Sequence, residues 1–183
     1  MRVLMLGNRF TSTPHLPDRL ARYLGAEVTA HTRGGARLAE HLNPKTRMGQ
    51  RTQAALSREH WDYVVLQEMS NGPITAPARF LDSAAALCRL IREAGTTPVL
   101  YTTWGYLDPT RLEALGLSQE EMARQLSAVC HQAAQANGAL VADVGLAFLR
   151  QEDQTVLYGP DGVHPSEVGA ELAAQVLADT MPP

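Results

Sequence analysis

"RVLMLGNRFT" (2–11) opens on a run of mostly apolar residues, breaks at Gly7-Asn8, and continues into residues that suit a helix starting near Phe10. A short apolar run without alternation is the pattern of a strand buried on both faces. Followed by a turn and a helix, it predicts the first unit of a chain that alternates strand and helix. The pattern recurs: "AEVTAHT" (26–32), "DYVVLQ" (62–67), "TPVLYTTW" (97–104) and "ALVADVG" (139–145) read as four further strands, the first of these the weakest. Between them Phe80, Ala84, Leu87, Cys88 and Ile91 recur at helical spacing, and so do Met122, Leu126, Val129, Cys130 and Ala133. Ser118 with Glu121 reads as a capping box, and Asn137-Gly138 as the stop of the same helix. A last helix is expected from about Ser166 to Asp179, with Val168, Leu172 and Val176 facing inward.

Strands alternating with helices imply an α/β fold: a three-layer αβα sandwich around a mostly parallel, about five-stranded sheet, flavodoxin-like in layout. At 183 residues, without internal repeats or a linker-like tract, the chain is expected to form one domain, 1–183. The net charge of −3 carries no basic field that would suit nucleic acid or an anionic membrane. Basic residues are nearly all arginine, with Lys45 the only lysine. No run approaches the ~18 apolar residues of a membrane span. The apolar stretch Val3–Leu6 is too short for a signal-peptide core. Cys88 and Cys130 fall at apolar helix positions and read as buried small hydrophobes, which points to a reducing cytoplasm.

Open parallel sheets bind ligands beyond the carboxyl ends of their strands. That rule selects "GNRFT", "RGGARL", "QEMSNGP", "TWGY" and the late "DGVHP". In "DGVHP", His164 has the side chain suited to a general base, and Asp161, three residues earlier, is placed to orient its ring. An Asp-Gly turn leading into a helix is the plain alternative.

The blocks "VLMLGNRFT", "RGGARL", "DYVVLQEMSN" and "DGVHPS" resemble, in order and spacing, the four blocks of the SGNH (GDSL-like) hydrolase superfamily. The resemblance implies an esterase-type α/β hydrolase in which His164 is the base and Asp161 its orienting carboxylate. Gly35, or its neighbour Gly34, would lend a backbone N–H to the oxyanion hole. The third block departs from the usual Gly-x-Asn-Asp, so Gln67, Ser70 or Asn71 could supply the second donor; Gln67 is favoured because it ends a strand. Asn8 would border the substrate. Substrates would be small acyl esters, acetylated carbohydrates among them, with no cofactor.

One position breaks the pattern. Where the family's serine belongs, this chain has Arg9. A guanidinium stays protonated and cannot attack a carbonyl. On a helix starting near Phe10, Thr11 lies roughly 200° around the axis. Ser12 and Thr13 lie about 5–6 Å away on the same side. Against a required reach of ~3 Å they are poor substitutes. Three readings follow: a hydrolase scaffold that has lost its serine, a module binding an acyl or anionic ligand through Arg9, or a slow hydrolase in which His164 activates water directly. A surface-lying Arg9 is the plain alternative.

Trp104 and Tyr106 are candidate walls of a substrate pocket, residues 105–117 a partial lid, and the 11–17 segment with His15 the opposite rim. The six histidines show no metal-ligand spacing, and neither GxGxxG nor GxxxxGK[ST] occurs. The expected partner is therefore a small acyl ester or anion, with self-association left open.

Overall fold

The computed structural model describes residues 1–182. The chain runs β1 (Arg2–Gly7), α1 (Arg9–Ser12), α2 (Leu16–Leu24), β2 (Glu27–Thr32), α3 (Leu38–His41), α4 (Arg47–Arg58), β3 (Tyr63–Leu66), α5 (Gly72–Thr75) and α6 (Pro77–Glu93). It continues through β4 (Thr97–Tyr101), α7 (Pro109–Leu115), α8 (Gln119–Asn137), β5 (Leu140–Ala142), α9 (Val144–Leu149), a 3₁₀ turn (Thr155–Leu157) and α10 (Glu167–Thr180). The five strands form one sheet in the order β2-β1-β3-β4-β5, every neighbouring pair parallel.

Alternation along the central strands explains the layers. Val3, Met5, Val65, Val99 and Tyr101 face one core with Leu16 and Leu20 of α2 and Ala173, Ala174 and Leu177 of α10. Leu4, Leu6, Val64, Leu66 and Leu100 face the other, against Leu56, Phe80, Leu87 and Ile91. Both faces are covered, which is why these strands read as continuous apolar runs.

The helix signals hold in detail. Ser118 Oγ accepts from Glu121 N at 3.2 Å while Glu121 accepts from Ser118 N at 2.8 Å, and Gly138 closes α8 at φ +62°. Three readings need correction. β4 ends at Tyr101 and β5 at Ala142, earlier than the apolar runs suggest. The cause is local: Thr102 Oγ1 accepts the N–H of Gly145, turning the chain into α9. The inward face of α10 is Gly169, Ala170, Ala173, Ala174 and Leu177; Leu172 and Val176 pack partly buried against the same core as expected, whereas Val168 is 54% exposed. Small residues win that face because the helix lies so close that a Cβ at Gly169 would collide with the Leu157 carbonyl.

Candidate active site

The sheet order places a crevice between β1 and β3, since the chain leaves β1 towards β2 and returns past it to β3. The turn after β1 is built by interlocking polar groups. Asn8 caps α1, its Oδ1 accepting from Phe10 N at 3.0 Å, and its Nδ2 donates to Ala36 O at 3.2 Å. Gln67 Oε1 accepts both the Asn8 N–H at 3.0 Å and the Thr11 hydroxyl at 2.9 Å. Gly7 is required here, because a Cβ would strike Thr11 Oγ1 and Gln67 Oε1.

This construction reassigns several residues. Gln67 is fully buried, and its Nε2 donates to the Glu68 carbonyl. Its Oε1 and one Nε2–H are engaged in holding the turn. Asn8, 3% exposed, is a cap and a tether to the second-block loop rather than a substrate contact. Ser70 is paired with Tyr106, Oγ to OH at 2.5 Å. Of the three third-block candidates, Asn71 stays uncommitted: it makes no side-chain cap bond to α5, and its Oδ1 is buried without a partner.

Arg9 is the first residue of α1 and is exposed. The side-chain stem runs beside Gly34, with Cδ and Cγ 3.8 and 3.9 Å from where a Cβ on that glycine would sit. Thr11 is sealed by Gln67, and the Thr13 hydroxyl donates to the Arg9 carbonyl at 2.7 Å. Neither hydroxyl is available as a nucleophile.

Asp161 and His164 meet as the sequence suggested. His164 Nδ1 lies 2.6 Å from Asp161 Oδ2. Asp161 Oδ1 accepts the N–H groups of Val163 and His164 at 3.0 and 2.9 Å. Desolvation works to raise this carboxyl, but the bonds from the His164 ring and the two backbone N–H groups outweigh it and bring it down to about 2. The loop is held from behind: Gly162 O accepts from Leu107 N at 2.7 Å and Asp108 N at 3.3 Å, and Gly159 N donates to His164 O at 2.8 Å. The rings of Phe10 and His164 are 5.0 Å apart, so the turn bearing Arg9 abuts the turn bearing His164.

Trp104 and Tyr106 do not wall a pocket. Trp104 is fully buried, stacks on Phe148 at 4.3 Å, sits 5.3 Å from Phe10 and donates Nε1–H to Val163 O at 3.0 Å. It supports both site turns from beneath. Tyr106 is 2% exposed and committed to Ser70. Their aromatic area is worth more buried in the core than at a rim.

Gly35 has φ +70° in a turn closed by Ala36 N to Arg33 O at 3.0 Å, a conformation that suits glycine. The neighbouring Glu68 was not singled out in the sequence. Its buried carboxylate accepts Leu38 N at 3.1 Å and Met69 N at 2.8 Å, and faces Arg37 Nη1 at 3.9 Å. Burial holds this carboxyl above its ordinary range, partly offset by those two N–H groups. Glu68 thereby ties the second-block loop to the third; a glutamate after a strand gives no sign of that from sequence. His15 sits at the rim, exposed, beside Asp18 at 3.6 Å. Among the described residues no three His, Cys, Asp or Glu side chains gather as metal ligands, and no helix is long and apolar enough to cross a membrane.

The family model for the GDSL-like lipase/acylhydrolase family matches residues 6–172. A candidate SGNH hydrolase from Slackia heliotrinireducens is 52% identical, with a TM-score of 0.95 over 100% of this chain and 99% of that one. A lipase/acylhydrolase from Enterococcus faecalis is similar in fold at 21% identity, TM-score 0.72, covering 98% of this chain and 94% of that one. A candidate arylesterase from Agrobacterium tumefaciens is similar in fold at 21% identity and TM-score 0.67, covering 97% and 96%. Comparison with curated proteins finds no match.

Proposed function

Because this chain belongs to the GDSL-like lipase/acylhydrolase family, we propose that it is an ester-hydrolase scaffold for small acyl esters whose serine route is closed by Arg9. The observation that carries this reading is the Asp161–His164 pair at 2.6 Å, set against a turn whose leading residue is an exposed arginine. The base and its orienting carboxylate are assembled while the attacking group is absent.

With serine at position 9, the chemistry follows from the same parts. The hydroxyl would attack the ester carbonyl as His164 Nε2 takes its proton, and the imidazolium would return that proton to the departing alkoxide. Asp161, accepting from Nδ1, fixes the tautomer in which Nε2 is the acceptor. The Gly35 N–H and the Asn71 amide are the donors proposed for the oxyanion. Arg9 supplies no lone pair, so no acyl-enzyme forms. Acetylated carbohydrates are the substrate class proposed within the small acyl esters. Two buried free thiols, Cys88 and Cys130, fit a proposed cytoplasmic setting.

The test compares the protein with its Arg9→Ser variant by short-chain aryl ester hydrolysis and by labelling with a fluorophosphonate probe. Turnover and labelling in the serine form alone support the reading. An inert serine form overturns it. Turnover by the arginine form without labelling would replace it with water activated by His164.

A further inference from the structure

At the rim of the crevice between β1 and β3, Arg9 carries a positive charge that no acidic side chain among the described residues pairs. Arg33 is paired with Glu40 and Arg37 faces Glu68. Asp161, the acid at the same rim, has both oxygens engaged by Val163 and His164. Arg9 has no ion pair or side-chain hydrogen bond among the described residues, in a chain whose net charge is −3. Its stem runs beside Gly34. On that same loop the N–H groups of Gly34 and Gly35 donate to no backbone acceptor among the described residues.

We propose that the Arg9 guanidinium, together with the N–H groups of Gly34 and Gly35, forms a receptor for a small monocarboxylate. The ligand class rests on the reading of this crevice as an acyl-ester site, since a carboxylate is what ester hydrolysis yields there. A guanidinium presents parallel N–H bonds that match the two oxygens of a carboxylate. Asp161 keeps one negative charge at the rim, which favours a monoanion over doubly charged phosphate. Replacing a neutral serine by arginine therefore exchanges a reacting position for a holding one.

Isothermal titration of the full chain with sodium acetate, sodium butyrate and inorganic phosphate, at one ionic strength set with sodium chloride, tests this. One-site saturable binding of the carboxylates is expected, tighter than that of phosphate. Arg9→Gln should weaken it by about tenfold or more, and Arg9→Lys by less, because lysine keeps the charge and loses the fork. Arg9 is exposed, so an unchanged melting temperature in Arg9→Gln confirms that the fold is not the cause. No saturable binding, or equal binding by Arg9→Gln, overturns the receptor; phosphate binding more tightly than carboxylate overturns the ligand class. The esterase assay on Arg9→Ser reads the parent hypothesis separately. An active Arg9→Ser protein whose parent binds no carboxylate removes only the receptor. Carboxylate binding beside an inert Arg9→Ser protein supports the receptor and removes the hydrolytic reading.

Discussion

Asp161 and His164 are joined twice, once through the ring, Nδ1 to Oδ2 at 2.6 Å, and once through the backbone, His164 N–H to Oδ1 at 2.9 Å. The carboxylate thus orients the imidazole and pins the loop that carries it. A residue fixed at both ends of its short loop has little freedom to lose its alignment when a ligand enters.

That double bond makes Asp161→Asn informative in the Arg9→Ser background. The amide can still occupy the site but cannot accept from the ring and both N–H groups with the same strength. Turnover should fall by about 10³–10⁴, the scale of losing an orienting carboxylate from a triad, while circular dichroism stays unchanged. Because Asp161 stays ionised down to about 2, its own titration should not appear in the activity profile above pH 4. An activity limb that disappears with Asp161→Asn in that range would contradict this.

Gln67→Met tests the turn after β1. It leaves the Asn8 N–H and the Thr11 hydroxyl buried without their shared acceptor. At about 1–3 kcal/mol for each of the two stranded groups, urea unfolding should show a loss of about 2–6 kcal/mol. A loss under about 0.5 kcal/mol, the range of an ordinary surface change, would mean that the amide is not what holds the turn.

Trp104→Ala separates a pocket wall from a core support. A fully buried tryptophan stacked on Phe148 should cost about 3–5 kcal/mol of stability. If instead stability is kept and only KM for longer acyl esters rises in the Arg9→Ser background, Trp104 contacts substrate after all.

Acid should destabilise the fold through two buried histidines. Burial, aided by Arg51 at His31 and by His31 and Arg33 at His41, brings both down to about 4 from 6.5. The unfolded chain then binds more protons between those values. Stability from these two groups is fully present above pH 6.5 and falls as pH drops towards 4, by at most about 3 kcal/mol each. Denaturant titrations at pH 7.5 and 5 should show the loss, and His31→Leu should reduce its pH slope. A slope unchanged in that variant would exclude His31.

Much of the fold was legible. Runs such as Val3–Leu6 and Val64–Leu66 announced strands buried on both faces, and the Ser118–Glu121 box and Gly138 bounded α8 within a residue. These signals are local, set by periodicity and backbone propensity. On α10 Leu172 and Val176 do pack against the core, but Val168 does not, because close packing selects Gly169 and the alanines beside it. Glu68 was invisible for a related reason: besides its neighbour Met69 it accepts from Leu38, at the start of α3, which only the folded chain brings beside it.

By itself the sequence determined the alternating α/β architecture, the order of the four blocks and the spacing that lets Asp161 meet His164. Each of these depends on residue identity or on neighbours a few positions apart. Tertiary structure alone decided which polar side chains are free to act. Gln67, Asn8, Ser70 and Tyr106 all looked available, and all are engaged in buried hydrogen bonds. Most buried polar groups find a partner, and that partner can lie 59 residues away, as Gln67 lies from Asn8. Arg9 and Asn71 are left over once those demands are met.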